Sequence, residues 1–156
     1  DIAEVHEMGV ALLQRHEDAG LGHERTINIW IRDQSPDWHL GLRLANLDLS
    51  LLLGYQIARN WNGTLRFLTI CDDPDDVEGA KEYLEALVDE ARLTPFGETW
   101  VRHGDFWETI ASAPRADLNI FGLASDVDSS FPADLVEKTG NSCLLVRDSG
   151  KESALA

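Results

Sequence analysis

Lysine is nearly missing from this sequence: Lys81, Lys138 and Lys151 are the only three in 156 residues. With arginine included there are 13 basic residues against 28 acidic ones, a formal net charge of −15. A surface of that average sign repels phosphate backbones and anionic headgroups, so nucleic acid is excluded as an ordinary partner and a basic protein segment is favoured. Acid-rich, lysine-poor surfaces are also one way to stay soluble in high salt, an expectation that stabilisation by molar KCl would test.

Cysteine is scarce as well. Cys71 and Cys143 each lie at the end of, or inside, an apolar strand-like run, without CxxC spacing or a paired histidine. They read as small buried hydrophobes in a reducing compartment rather than as a metal or redox site. Long hydrophobic runs are absent. The longest, Leu47 to Ile57, is interrupted by Asp48, Ser50, Gly54 and Gln56, well short of the roughly 20 apolar residues a bilayer crossing needs. Direct membrane insertion is therefore not expected. Neither an initiator Met nor a signal-peptide pattern precedes Ile2, and the start at Asp1 reads as a cut from a longer polypeptide.

Several catalytic and binding signatures are missing too. His6, His16, His23, His39 and His103 show no HExxH spacing, so no metal residues are assigned. No GxSxG or catalytic Cys/His pattern occurs. His103-Gly104-Asp105 imitates an acid–base pair but reads more simply as a strand end followed by a helix cap. No catalytic residue is assigned and no enzyme is expected. A phosphate loop is expected after the fourth strand, but the segment Gly122-Leu123-Ala124-Ser125-Asp126-Val127-Asp128-Ser129-Ser130 offers one glycine and two carboxylates, with no lysine following. Neither a P-loop nor a GxGxxG fingerprint is present, and no cofactor is expected.

What the sequence does contain is alternation. Five runs rich in β-branched or aromatic residues, Thr26 to Ile31, Thr64 to Cys71, Glu98 to Arg102, Ala116 to Leu123 and Ser142 to Arg147, alternate with segments of helical period. That pattern predicts a three-layer α/β fold, an open sheet of about five mainly parallel strands with helices on both faces. Ala45 to Trp61 is an apolar helix stopped by Asn62-Gly63. A second opens after Asp72-Asp73-Pro74 and runs to about Leu93, with Val77, Leu84, Leu87, Val88 and Ala91 on one face. A third, capped by Asp105, ends before Pro114, and a fourth, Pro132 to Thr139, is capped by the Ser129-Ser130 region and stops at Gly140. Ile2 to His16 is read as a moderately amphipathic N-terminal helix. The expected organisation is residues 1–22 as a helical linker to an upstream segment and residues 23–156 as one α/β domain, with no internal repeat.

Ligands in open α/β sheets bind at the carboxyl ends of strands, which makes Asp33, in the turn Arg32-Asp33-Gln34-Ser35-Pro36, the best-placed polar residue; an Asx- or Ser-type turn is the simpler reading. Of five tryptophans, Trp38, in a polar loop between Asp37 and His39, is the candidate for a partner surface. The strand Ser142 to Arg147 is read as a sheet edge open to a second copy, with Leu144 and Val146 as interface residues.

Two resemblances follow. The segment Ile27-Asn28-Ile29-Trp30-Ile31-Arg32-Asp33-Gln34-Ser35 with the apolar helix after it, and the ending from Ala116-Asp117-Leu118-Asn119-Ile120-Phe121-Gly122 to Ser142-Cys143-Leu144-Leu145-Val146-Arg147, resemble the universal stress protein fold. That family's glycine-rich ATP loop would carry a second glycine where Ser125 stands. A nucleotide-binding sensor is therefore the alternative reading, its site falling on Asp33, Gly122, Ser125 and Gly140. More of the chain, from about Thr26 onward, resembles the C-terminal cytoplasmic domain of prokaryotic cation–chloride cotransporters of the amino acid permease superfamily. The resemblance rests on Ile27-Asn28-Ile29-Trp30-Ile31, on Asn46-Leu47-Asp48-Leu49-Ser50-Leu51-Leu52-Leu53 leading to Ala58-Arg59-Asn60-Trp61, and on the ending Asn141 to Ala156. It implies a cytoplasmic regulatory and dimerising domain tethered through upstream transmembrane helices, with the transmembrane domain of the same polypeptide and a second copy as partners.

Overall fold

A computed structural model describes residues 8–32, 47–93, 97–123 and 127–149. The five runs of β-formers become β2 (Thr26–Trp30), β3 (Thr64–Cys71), β4 (Gly97–His103), β5 (Leu118–Gly122) and β6 (Ser142–Arg147). A sixth strand, β1 (Val10–Gln14), was not expected. Among the described residues four helices connect them: α1 (Asp48–Trp61), α2 (Val77–Glu90), α3 (Phe106–Ile110) and α4 (Phe131–Thr139), with a 3-10 turn, Pro74–Asp76, leading into α2. The helix ends follow the local chemistry. Asn62 takes the left-handed conformation after α1 and Gly140 does so after α4, while the Asp105 carboxylate accepts from the Glu108 N–H at the start of α3. Ser130 stands at the start of α4 without a side-chain cap; its own N–H donates to Asp128 instead.

The strands form one sheet in the order β1-β6-β5-β2-β3-β4, parallel throughout except for β1, which runs antiparallel to β6. Alternate residues feed two cores. On one face Ile27, Ile29, Leu65, Phe67 and Ile120 meet Leu51 and Ala58 of α1 and Ala80, Leu84 and Leu87 of α2. On the other, Trp30, Leu68, Phe121 and Leu145 meet Ile110 of α3 and Leu135 and Val136 of α4. Because α3 has only five residues, that second face depends on large rings. Trp30 stacks on Phe121 with centroids 5.5 Å apart and meets Trp100 edge-on at 6.1 Å, and Trp107 meets Phe131 edge-on at 5.7 Å.

Two expectations need correction. Val10–Gln14 is a strand and not part of a helix, because its residues complete the ladder of β6, Leu12 opposite Leu145 and Leu13 opposite Leu144. For the same reason β6 is an inner strand held between β5 and β1 rather than an open edge. Leu144 is half-buried against the first core and Val146 is fully buried, so neither is presented to a second copy.

Candidate functional site

Chain order in the sheet reverses between β2 and β5, since β2 leads outward to β3 and β5 leads outward to β6. In such folds the crevice beyond the carboxyl ends at that point is the usual ligand site. Asp33, Trp38 and Ser125 lie outside the described residues. Gly122 is the last residue of β5, paired with Val146, and Leu123 next to it donates its N–H to the Val146 carbonyl at 2.7 Å. Gly140 lies elsewhere. It closes α4 ahead of β6, whose first residue pairs with Leu118 at the amino end of β5. Four residues of strand, about 13 Å, separate these levels, so the structure does not bring Gly122 and Gly140 to one phosphate site. Asp128, expected to oppose phosphate, holds a turn through the N–H of Ser130.

A cavity of about 330 Å³ opens instead near the amino ends of β5 and β6, on the face covered by α3 and α4. Its walls include Trp30, Arg115, Asn119, Lys138 and Asn141. Beneath it the strands align a polar row. Glu98, Arg66, Asn28, Asn119 and Cys143 are successive cross-strand neighbours from β4 to β6. Arg66 reaches Glu98 at 3.4 Å and donates to Asn28 Oδ1 at 2.9 Å, and Asn28 Nδ2 donates to the Pro114 carbonyl at 2.7 Å. Trp30 Nε1 donates to Asn119 Oδ1 at 3.0 Å, both residues being buried. Burial pushes the Cys143 thiol up to about 11 despite the Thr139 hydroxyl 3.5 Å away. A thiol in that state is no nucleophile.

Asp117, just before β5, organises the same end of the sheet. One carboxylate oxygen accepts the His23 N–H, and the other accepts the N–H groups of Arg25 and Thr26 and the Thr26 hydroxyl, at 2.8 to 3.1 Å. Burial acts to raise the Asp117 pKa, but the backbone donors of His23, Thr26 and Arg25 and the Thr26 hydroxyl together hold it below its ordinary value. Gly22 makes the arrangement fit: its φ is +58°, and a Cβ there would collide with the Asp117 carboxylate. The carboxylate is a clamp on the loop between β1 and β2, and sequence reasoning did not single it out. A lone Asp before an apolar run carries no pattern, since its partners lie more than 90 residues away.

Among the described residues no group of three or more His, Cys, Asp or Glu is placed to hold a metal, and no helix is long and apolar enough to cross a membrane. The remaining feature is the outer side of β1. Leu12 and Leu13, which point to opposite faces of this outermost strand, are 45% and 49% exposed, and Met8, two residues before the strand, is 49% exposed. The signal for this strand was the run Val10-Ala11-Leu12-Leu13-Gln14 itself, too short for periodicity to separate strand from helix.

The layers and strand order define an α/β domain of the universal stress protein type. Two solved structures show that fold: the universal stress protein from Archaeoglobus fulgidus, at a TM-score of 0.58 and 15% identity over 79% of this chain and 93% of that one, and another from Archaeoglobus fulgidus DSM 4304, at 0.62 and 12% over 93% and 51%. The crystal structure of the cytoplasmic domain of a prokaryotic cation chloride cotransporter is similar at the level of sequence too, with a TM-score of 0.87 and 34% identity over 98% of this chain. Residues 22–155 match the model of the prokaryotic cation-chloride cotransporter C-terminal domain, the second of that region. The chain belongs to this family of cotransporter C-terminal domains, and it spans 57% of the length of the crystallised relative. A search of curated proteins found no match.

Proposed function

We propose that this chain is a cytoplasmic regulatory domain of a cation–chloride cotransporter of the Na/K/Cl type, joined to the transmembrane part of the same polypeptide, and that it works by contact without catalysing a reaction. It pairs with a second copy. The observation that carries this reading is the outer side of β1, a strand edge that is unpaired among the described residues and bears two half-exposed leucines. Such an edge offers unsatisfied N–H and C=O groups together with apolar surface, which is what strand addition by another chain uses. The dimer surface is thereby moved from β6, where the sequence suggested it, to β1. A contact of this kind biases transport only if it differs between states of the transport cycle. The net charge of −15 supports protein surfaces over nucleic acid as partners. The distance between Gly122 and Gly140 removes support from the nucleotide-sensor alternative.

Sedimentation velocity over a concentration series tests the pairing. The wild-type chain is expected to shift toward a dimer as concentration rises, and the double variant Leu12→Lys, Leu13→Lys is expected to stay a monomer with an unchanged circular dichroism spectrum. A wild-type chain that is monomeric throughout, or a variant that dimerises equally well, removes the proposal.

A further inference from the structure

Among the described residues the sheet ends at β4 on one side and at β1 on the other, and the two edges are built differently. β4 carries the exposed ionisable side chains of Glu98, Arg102 and His103, a usual way of keeping an edge from accepting a foreign strand. β1 reads Val10-Ala11-Leu12-Leu13-Gln14, with no charge and no proline, and its ladder with β6 runs without a bulge. It is also held in place. The His16 N–H donates to Ser142 Oγ at 2.9 Å and the Ser142 hydroxyl donates to the Gly20 carbonyl, so the chain leaving β1 is fastened to the start of β6. A strand fixed in advance loses little conformational freedom when it pairs.

The ladder determines which backbone groups face outward. The Val146 carbonyl accepts from the Leu123 N–H, so Val146 and Leu144 turn their backbone groups toward β5, and Cys143, Leu145 and Arg147 turn theirs toward β1. Gln14, Leu12 and Val10, which lie opposite those three, are therefore the bonded positions of β1. The N–H and C=O groups of Ala11 and Leu13 are left pointing away from the sheet. A second copy of β1 matches them with its own. We propose that two copies join β1 to β1, antiparallel, about a two-fold axis at Leu12, so that Ala11 of each exchanges both backbone bonds with Leu13 of the other and Leu12 faces Leu12. One sheet then runs through both copies. The inference rests on the pairing reading above and adds its register and symmetry. An axis at Ala11 would set Leu13 against Gly9, and an axis at Leu13 would set Leu12 against Gln14 and Ala11 against Arg15. Only the Leu12 axis puts an apolar side chain opposite both leucines, Leu12 on the face of Leu145 and Leu13 on the face of Leu144. The two Val10 positions then stand about 14 Å apart, on either side of the axis.

Sedimentation velocity and disulfide trapping, run side by side, separate the register from the pairing itself. Opposed Leu12 positions form a non-hydrogen-bonded pair with Cα atoms about 4.5 Å apart, within the span a disulfide bridges. Leu12→Cys, oxidised at a concentration where sedimentation shows the wild-type dimer, is expected to form a covalent dimer at least roughly tenfold faster than Leu52→Cys. Leu52 is a control of similar exposure on α1, 41% against 45%, and the two native thiols are buried, which makes the wild-type chain the blank. Leu13→Cys alone should cross-link slowly, because its counterpart is Ala11, whereas Leu13→Cys mixed with Ala11→Cys should give the mixed dimer. These positions are all exposed, so the variants are expected to fold, and unchanged circular dichroism spectra check that they do. A wild-type dimer with Leu12→Cys no faster than Leu52→Cys, or with Leu13→Cys alone the fastest, overturns the register and leaves the pairing standing. A wild-type chain that sediments as a monomer at every concentration removes both.

Discussion

Removing the Asp117 carboxylate should loosen the loop ahead of β2 and lower the stability of the whole sheet. Four donors converge on this side chain, and the two from Thr26 are partly buried while those from His23 and Arg25 are exposed. Water can replace the carboxylate at the exposed pair, so the loss concentrates on Thr26. Hydrogen bonds to a charged group contribute about 1.5–3 kcal/mol each, and because both Thr26 bonds are only partly buried the lower part of that range applies, which puts the cost of Asp117→Ala at about 3–4 kcal/mol. For a domain of this length that is a fall in Tm of about 6–15 °C. Asp117→Asn keeps the shape but turns an amide N–H toward one of the donors, and about 1.5–2 kcal/mol is expected. The pH dependence supplies an independent check. A carboxylate whose folded pKa is depressed contributes stability that is fully present above its unfolded pKa, near 3.9, and is lost as pH falls through the folded value. Thermal unfolding followed by circular dichroism should therefore show wild type and Asp117→Asn well separated at pH 7 and converging in the acid range below about pH 4. A melting temperature for Asp117→Ala within about 1 °C of wild type at pH 7, or a gap that does not narrow with acid, would refute the clamp.

Two further outcomes follow from buried groups. A Cys143 thiol with a pKa of about 11 has about one part in a thousand as thiolate at pH 8, and Cys71 is buried as well. An aromatic disulfide reagent should thus label neither thiol in the folded chain and both on unfolding; rapid native labelling of either would contradict the packing. Asn119→Leu leaves the buried Trp30 Nε1–H without its acceptor, which should cost about 1–3 kcal/mol and lower Tm by several degrees in a calorimetric scan, whereas an unchanged transition would mean the indole has another partner.

Most of the parallel sheet was legible because its strands are buried on both faces and read as near-continuous apolar runs between turn residues. Thr64–Cys71 and Ser142–Arg147 have the bounds that composition suggested, and Asn62, Asp105 and Gly140 end or begin helices as their side chains dictate. β1 was misread because Val10-Ala11-Leu12-Leu13 satisfies a helical stripe as well as it satisfies a strand, and only pairing with a strand more than 120 residues away decides between them. That one miss also produced the misplaced sheet edge. The site suffered more. Asp117 acts through partners that topology brings together, and no local spacing announces it. Asp33 and Trp38, which the sequence favoured, lie outside the described residues.

The reversed direction of β1 has a geometric consequence for how a domain like this is hung. Val10 pairs with Arg147, so the polypeptide enters the first strand and leaves the last at one corner of the sheet, a few ångströms apart. A load applied between those two points pulls the pair open one rung at a time and never has to shear the parallel strands behind it. The strands from β5 to β4 therefore lie outside the path of such a load, which falls first on the antiparallel rungs between β1 and β6.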